Sequence, residues 1–385
     1  MKINQIECSL IEYPLPAPLR PAWAPGRVFN TTNCTLLRVH TDEGVSGVGA
    51  GPEVGMLGIN TFADLVAPYI LGKDPFMVEQ ISPYLRVAAR DGSYPWAFEM
   101  ALWDIIGKVT NQPVYRLWGG FQNRMPAYAS LAEVPSFEEQ VERIHLLHSS
   151  GMRAFKLRLR RPSIKEDIAL VEHVRSVFGD QIDLMVDANQ AHVMPSPKPI
   201  GAWTYFEALT VARAMQDLNV LWVEEPLPRY NYHQLAQLAE AVDIPIAGGE
   251  LNIGLHEYKM LVDMNCYDII QADAAFSEGI FQLRKVAALA EMSFKKFIPH
   301  TWSNGIGLAA NLQLAASLPN CPWFEFPVDP PGWTVAARDF MLKKPFQVDE
   351  DGTISLSEAP GLGLDLDELA IQRHTKQHWI SNRVL

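Results

Sequence analysis

The chain is poor in cysteine and contains no cysteine motif. Four cysteines occur among 385 residues, and no two of them form a CxxC pair (Cys8, Cys34, Cys266 and Cys321). A scaffold held together by disulfides, or a zinc site built from cysteines, requires closely spaced cysteine pairs. The pattern therefore predicts buried thiols in a reducing compartment.

Long hydrophobic runs are also missing from the sequence. No apolar run approaches the roughly 20 residues that a membrane-spanning helix needs. The first residues, MKINQIECSLIEYPLP, lack the apolar core of a signal peptide. Both absences predict a cytoplasmic protein with no membrane partner.

The sequence has fewer basic than acidic residues, and its basic residues form no solvent-exposed cluster. The chain has 32 Lys and Arg residues against 44 Asp and Glu residues, which gives a net charge of −12. The longest basic stretch, KLRLRR at 156–161, alternates with apolar residues and is typical of a strand. Because nothing here would neutralise a phosphate backbone, we expect no nucleic-acid partner.

The first 120 residues have the pattern of an α+β unit. INQIECSLIEYPL and NCTLLRVHTDEGVSGVGAG carry strand signals, and helical patterns follow at about 59–89 and 95–109. Paired glycines break the chain at LWGG, residues 117–120. The segment 13–32 has five prolines and no amphipathic period, so we expect a long loop that acts as an active-site lid.

Residues 121–328 alternate strand and helix patterns with a regular repeat. Eight strand patterns are separated by helical patterns, and Ser136 with Glu139 predicts a capping box on the first of these helices. This order is typical of a (β/α)8-type barrel. A doubly wound open sheet is the alternative, but no GxGxxG follows any strand. Residues 329–385 are too few for a further domain, and we expect them to pack against the N-terminal unit.

Charged residues recur at the carboxyl ends of the barrel strands, about once per βα unit of 25–30 residues. The carboxyl ends of barrel strands are where this architecture builds active sites. The residues concerned, from strand two to strand eight, are Lys156 with Arg158, Asp187, Glu224, Glu250, Asp273, His300 and Glu325.

Three of these residues are carboxylates on consecutive strands. Asp187, Glu224 and Glu250 would repel one another if they converged without a cation between them. A set of oxygen ligands without Cys or His favours a hard ion, so the sequence predicts a Mg²⁺ site. The alternative is that each acid caps a helix or pairs with a nearby cation. Glu225 should point away from Glu224, which makes it the poorer ligand.

The remaining strand-end residues suggest chemistry on a carboxylic acid. Lys156 and Arg158 share one face of strand two and suit a carboxylate substrate, unless they serve only as structural ion pairs. Asp273 beside His300 would orient the imidazole and raise its basicity, which predicts a general base. Glu325 is expected to hydrogen bond or orient the substrate, the alternative being a satisfied acid in the core.

Taken together, these motifs resemble the enolase superfamily, and specifically its mandelate racemase subgroup. The resemblance covers essentially the whole chain. It implies a modified (β/α)7β TIM-type barrel at 121–328, capped by an α+β domain formed from residues 1–120 and completed by 329–385. The motifs that carry it are AFEMALWDIIGK, KLR, VDAN, WVEEP, GGE, QADAAFSEG, PHTWSNGIG and FEFP.

The resemblance also implies a role for each strand-end residue. Mg²⁺ would bind Asp187, Glu224 and Glu250, and the His300–Asp273 dyad would act as general base. Lys156 and Glu325 would contact the substrate carboxylate. The shared step of the superfamily is removal of the proton α to a carboxylate, with the metal holding the ene-diolate.

One position departs from the racemase pattern. Where the racemase has a second lysine that acts as a base, this chain has Arg158, whose high pKa makes it a poor proton acceptor. A single base favours a dehydratase that eliminates the β-hydroxyl of a hydroxy or sugar acid and forms a 2-keto-3-deoxy acid. The alternatives are a racemase, epimerase or cycloisomerase of the same subgroup, or a homologue that binds acid sugars without turnover.

Substrate specificity is expected in three loops, at 13–32, 50–55 and 190–200. The candidate binding residues are Arg20, Trp23, Arg27 and His192. The expected partner is a small carboxylate, an acid sugar, and relatives of this type suggest a symmetric homo-oligomer.

Overall fold

Two β-sheets organise the chain in the computed structural model, which describes residues 1–52, 63, 66–90, 94–192 and 201–381. One sheet is antiparallel and has four strands, and the other is mostly parallel and has nine. None of the helices in the described residues has the length and apolar character needed to cross a membrane.

The antiparallel sheet is built from both ends of the chain, with the last strand beside the first. Four helices with described bounds accompany it, the longest of them packed across β3. The strands are β1 (Ile3–Leu19), β2 (Phe29–Thr41), β3 (Ser46–Pro52) and β13 (Thr375–Ser381), and the helices are α1 (Ala67–Ile70), α2 (Val78–Arg90), α3 (Trp96–Thr110) and α4 (Val114–Leu117).

Residues 13–32 differ from the expected long loop. The first two strands continue into this segment, where Tyr13 pairs with Thr32 and Leu19 pairs with Phe29. Prolines are tolerated here because the register breaks between Pro14 and Leu19. Only the tip, residues 20–28, lies outside the strands, so the segment is a β-hairpin.

In the parallel sheet, eight strands alternate with seven helices within the described residues, which confirms the (β/α)7β architecture. The first barrel strand pairs with both the second and the last, so the sheet curls back on itself. The strands are β4 (Arg124–Ser130), β5 (Ala154–Arg158), β6 (Asp183–Asp187), β7 (Val223–Glu224), β8 (Ile246–Gly248), β9 (Ile269–Ile270), β10 (Lys296–Phe297) and β11 (Phe324–Pro327).

The seven barrel helices surround these strands. The first begins with the predicted capping box, since Ser136 Oγ accepts from the Glu139 amide at 3.2 Å and the Glu139 carboxylate accepts from the Ser136 amide at 3.0 Å. The helices are α5 (Phe137–Ser149), α6 (Ile164–Phe178), α7 (Tyr205–Asp217), α8 (Tyr232–Ala241), α9 (Leu255–Asp263), α10 (Ile280–Met292) and α11 (Gly305–Ala316).

The barrel interior is filled with large side chains below the strand ends. Tyr128, Met185 and Trp222 form an inner cluster, and the Tyr128 and Trp222 rings meet edge to face at 5.3 Å. Alternate residues such as Phe155 and Val186 belong to a separate cluster with the helices. The interior is therefore solid, and a ligand has room only at the carboxyl ends of the strands.

The C-terminal segment contacts both sheets. It contains α12 (Val335–Arg338), β12 (Thr353–Ser355) and α13 (Glu368–His374) before β13. β12 pairs with the first barrel strand, and β13 pairs with β1. All four cysteines are buried thiols rather than halves of disulfides, as the sequence predicts.

A buried carboxylate on α3 closes the N-terminus of barrel helix α10. Glu99 accepts a hydrogen bond from the Phe281 amide at 2.7 Å and another from Ser82 Oγ at 3.1 Å. Gly279, the residue that precedes the helix, allows this approach because a Cβ there would overlap the Glu99 carboxylate. Glu99 thus serves as a long-range cap for one of the unpaired helix-terminal amides.

Burial raises the pKa of Glu99 to about 7, despite the hydrogen bond from Phe281. A carboxyl whose pKa is higher in the folded than in the unfolded state binds more protons when folded, so stability falls as pH rises through this range. Between pH 5 and pH 8 the wild-type protein should lose about 2–3 kcal/mol of unfolding free energy relative to Glu99→Gln. Urea unfolding of both proteins at the two pH values measures this difference.

The exposed Glu142 on α5 provides the control. Glu142→Gln should follow the wild-type pH dependence. A wild-type to Glu99→Gln difference that is the same at pH 5 and pH 8 would show that Glu99 does not change its protonation on folding.

Candidate active site

Three acids meet where three neighbouring barrel strands end. Asp187 is the last residue of β6 and Glu224 the last of β7, and the two are paired in register. Glu250 follows β8 by two residues. One carboxylate oxygen from each of the three lies within 4.8 Å of the others. The structure thus brings together the triad that the sequence singles out.

Cations and amides already contact two of these acids. Asp187 pairs with the Arg158 guanidinium and accepts from the Asn189 amide at 2.8 Å. Glu224 accepts from Lys156 Nζ and from Gln271 Nε2, both at 2.6 Å. These contacts fix the carboxylates in place and offset part of their charge.

Negative charge nevertheless remains in excess. Burial raises the pKa of Asp187 to about 7, against the influence of Arg158 and with a further contribution from Glu224. Burial and the neighbouring Glu224 likewise raise the pKa of Glu250, although His300 opposes the rise. Such shifts indicate a site that is costly to ionise without a further cation.

The donor set fits Mg²⁺. All three ligands are carboxylate oxygens, and an octahedral ion with ligands at about 2.0–2.1 Å needs oxygens about 3–4 Å apart. The observed spread of up to 4.8 Å requires only a side-chain adjustment to reach that geometry.

The predicted dyad is also assembled beside this triad. His300 Nδ1 lies 2.8 Å from Asp273 Oδ2, and His300 Nε2 lies 3.4 Å from Glu250 Oε2. Asp273 is itself held by the Ala275 amide at 2.7 Å and by Asn311 Nδ2 at 2.9 Å. These donors keep Asp273 an acceptor, so His300 Nδ1 carries the proton and Nε2 faces the site.

The charge around His300 is strongly negative. Burial lowers the pKa of the imidazole, but Glu250, Glu325 and Asp273 outweigh burial and raise it to about 10. At neutral pH this imidazole therefore holds its proton, and a cation bound at the triad would lower its pKa towards the neutral form that a base needs.

Lys156 and Glu325 lie deeper than expected. Lys156 is fully buried between Glu224 and Glu325, with Nζ 2.7 Å from Glu325 Oε1. Glu325 also accepts from the Thr301 amide at 2.6 Å. Burial would raise the pKa of Glu325, but Lys156 and His300 lower it to about 2. Neither residue lines the cavity in this structure, and the contacts of both with a substrate carboxylate stay a prediction.

Arg158, in contrast, reaches the cavity. Its guanidinium lies beside two indoles that contact each other edge to face, 5.2 Å from the Trp23 ring centre and 5.8 Å from that of Trp302. Arg158 Nε donates to the Leu131 carbonyl at 2.5 Å. Stacking and hydrogen bonds fix this cation at the cavity wall beside Asp187.

A cavity of about 510 Å³ opens above the strand ends. Of the loop residues proposed from the sequence, Trp23 and His192 line it, whereas Arg20 and Arg27 are exposed and do not. The parts of the expected specificity loops at 53–55 and 193–200 lie outside the described residues.

The sequence analysis does not single out two site residues, Asn189 and Asn311, and it sets aside a third, Glu225. Glu225 lines the cavity because the strand ends at Glu224 and Glu225 adopts a left-handed φ of 48°, which stops the alternation of side chains. Asn189 contacts Asp187, and Asn311 on α11 contacts Asp273. The motif VDAN contains Asn189 and was a signal for it, but nothing in the local pattern marks Asn311.

Comparisons with known proteins agree on one family over most of the chain. A family model described as enolase C-terminal domain-like matches residues 137–370. A second one, for the N-terminal domain of mandelate racemase and muconate lactonizing enzyme, matches residues 11–119.

Individual relatives cover nearly the full length. An L-talarate/galactarate dehydratase of Salmonella typhimurium is 29% identical over 96% of this chain and 90% of its own length. A D-galactarolactone cycloisomerase of Agrobacterium fabrum is 26% identical over 96% of this chain and 98% of its own. The crystal structure of the Salmonella dehydratase liganded with Mg and L-lyxarohydroxamate superimposes with a TM-score of 0.86 at 26% identity, covering 100% of this chain and 95% of that one.

Removal of one acid tests the metal site. If Glu250 is a ligand, Glu250→Gln should weaken Mg²⁺ binding at least about tenfold, because it takes a charged oxygen from the site. Since a bound ion stabilises the folded state, Mg²⁺ should raise the Tm of the wild type and EDTA should reverse the gain. Calorimetric titration and thermal unfolding measure both effects.

Glu240→Gln, at an exposed position of α8, is the matched control and should keep the wild-type response to Mg²⁺. The assignment of Glu250 fails if the Glu250→Gln variant gains as much Tm from Mg²⁺ as the control does.

Proposed function

Because the chain belongs to the mandelate racemase and muconate lactonizing enzyme family of the enolase superfamily, we propose that it is a Mg²⁺-dependent acid-sugar dehydratase. It would remove the proton α to a carboxylate and eliminate the β-hydroxyl, which gives a 2-keto-3-deoxy acid. The dehydratase relative in Salmonella and the Mg bound in its crystal structure support this choice.

One observation carries the proposal: a base and a carboxylate triad face the same point. His300 Nε2 is 3.4 Å from Glu250 Oε2, and the Glu250 oxygen belongs to the set that lies within 4.8 Å. A carboxylic acid held at the triad would therefore present its α-carbon within reach of the imidazole.

Asp187, Glu224 and Glu250 would hold the ion. When bound, Mg²⁺ supplies positive charge that stabilises the extra negative charge of the substrate carboxylate. Arg158, which lines the cavity next to Asp187, adds a second cation there. Lys156 acts from below, where its single positive charge bridges Glu224 and Glu325 and fixes both carboxylates.

The proton transfer uses the dyad. The α C–H bond breaks, the proton goes to His300 Nε2, and the resulting imidazolium is stabilised by Asp273 through Nδ1–H. The electron pair left on the α-carbon then expels the β-hydroxyl. The proton that His300 has taken up is transferred to this group, so that one water leaves and the imidazole becomes neutral again. The enol that forms becomes the 2-keto-3-deoxy acid by tautomerisation.

Arg158 favours elimination over racemisation. Burial lowers the pKa of this guanidinium, but Asp187 and other nearby acids outweigh burial and raise it above the already high usual value. A group that holds its proton so firmly cannot act as a second base on the opposite face of the substrate.

We also propose that residues 1–120 and 329–385 form one capping domain around a barrel at 121–328. The pairing of β13 with β1 supports this division. The pairing of β12 with barrel strand β4 adds a contact between the C-terminal segment and the barrel.

A substrate screen tests the proposed reaction. Purified protein with Mg²⁺ should produce a semicarbazide-reactive keto acid from at least one member of a panel of aldonates and aldarates. The same acid should exchange its α-proton in D₂O, followed by NMR. Exchange without keto-acid formation would point to the racemase, epimerase or cycloisomerase alternatives, and ligand binding without exchange would point to a catalytically silent homologue.

A single substitution tests the base. His300→Asn should lower turnover at least about 10³-fold, because it removes the proton acceptor and its dyad. The Mg²⁺-dependent gain in Tm should remain, which distinguishes lost chemistry from lost folding. His256→Asn, at an exposed position of α9, is the control and should keep full activity. Near-normal turnover in His300→Asn would overturn the assignment of the base.

A further inference from the structure

One wall of the cavity is a continuous apolar surface. Its residues come from the β1–β2 hairpin, from the loop after β10 and from the C-terminal segment, and they cluster with one another. All of them line the cavity, and we call this set the apolar wall: Leu15, Leu19, Trp23, Phe29, Trp302 and Trp333.

The apolar wall extends from the cationic end of the cavity. Trp302 lies 5.8 Å from the Arg158 guanidinium and 5.3 Å from the ring of Trp333. Trp333 clusters with Leu19, and Leu19 pairs with Phe29 across the hairpin. A substrate whose carboxylate lies near Arg158 would therefore extend its other end along apolar side chains.

Among the described lining residues, we find no unpaired cation that could bind a carboxylate at the end of the substrate away from Arg158. The Arg338 guanidinium is already paired within the protein, since Nε donates to Asp339 Oδ1 at 2.7 Å and Nη1 donates to the Pro327 carbonyl at 3.1 Å. Arg158 belongs to the triad end and pairs with Asp187. Burial lowers the pKa of His192, which disfavours the cationic form of this imidazole.

A carboxylate at the far end of a substrate would thus lose hydration without gaining a cationic partner among the described lining residues, which disfavours binding. A methyl or larger apolar group would instead gain from contact with the wall. Hydroxyls in the middle of the substrate can still form hydrogen bonds, because Thr31 and Thr32 of β2 also line the cavity.

We propose that the substrate is a monocarboxylic hydroxy acid whose far end is apolar, such as a 6-deoxyhexonate, in preference to a dicarboxylic sugar acid. This inference rests on the proposed function, and it separates the chain from the Salmonella dehydratase, which is one of several dehydratase relatives and is named for the dicarboxylic talarate and galactarate. The apolar wall acts by selecting one end of the substrate and takes no part in proton transfer.

Matched sets of three acids test the inference. Each set shares carbons 1–5 and carries a methyl group (6-deoxyhexonate), a hydroxymethyl group (hexonate) or a carboxylate (hexarate) at carbon 6. In every configuration that the protein processes, kcat/KM for α-proton exchange should be at least about tenfold higher for the 6-deoxyhexonate than for the hexarate. The rise in Tm with each acid and Mg²⁺, measured in parallel, should follow the same order.

A variant of the wall provides the second measurement. Phe29→Arg places a cation among the half-buried residues of the hairpin and should shift the preference at least about tenfold towards the hexarate. Leu146→Arg, at an exposed position of α5, adds the same charge outside the site and should leave the preference unchanged. Thermal unfolding establishes that both variants are folded.

The outcomes separate the two proposals. A hexarate preferred in exchange and in binding would overturn the apolar-end assignment while supporting the dehydratase family chemistry. A binding preference for the 6-deoxyhexonates with no α-proton exchange from any acid would support the assignment and refute the proposed reaction. A preference that Phe29→Arg and Leu146→Arg leave equally unchanged would also overturn the role of the wall.

Discussion

The site depends on a balance of buried charge. Asp187, Glu224, Asp273 and Glu325 are fully buried, and Glu250 completes the acidic group at the strand ends. Two buried cations, Lys156 and Arg158, compensate only part of this negative charge, and each is held by contacts to specific acids. Burial of uncompensated carboxylates is costly, which favours the binding of another positive charge at the triad. The same surplus of negative charge draws a cation to the triad and makes the nearby imidazole basic.

Much of this arrangement was predictable because barrel geometry repeats. Acids at equivalent positions of Asp187, Glu224 and Glu250 must converge once the strands are parallel and adjacent, whatever the loops do. The predictions for single residues were less accurate where a backbone torsion angle, or the depth of a side chain below the cavity, determines what that side chain contacts. Glu225 reaches the cavity through a left-handed φ that strand alternation does not anticipate. Lys156 is enclosed because Glu325, 169 positions away in the chain, lies within 2.7 Å of it.

The hairpin shows a second limit of sequence reasoning. Its prolines and missing period suggested a loop, yet strand pairing with the neighbouring arm holds both sides of it. Local propensity cannot reveal a partner strand that satisfies the backbone. The tip then packs on the barrel, where the Ala22 amide donates to the Ala132 carbonyl at 2.8 Å and Trp23 stacks on Arg158. The cavity is consequently formed by both sheets, and its chemistry is divided between them: charge from the barrel strands and apolar surface from the hairpin.

The cap that Glu99 provides to α10 has a consequence for how such chains diversify. The donor amides and the acceptor carboxylate sit in different parts of the sequence, and Gly279 must stay small for the two to meet. An exchange of N-terminal halves between homologues would leave that helix end unsatisfied, or sterically blocked, unless both partners matched. A chimaera joined between α3 and α10 would therefore need to keep Glu99 and Gly279 together.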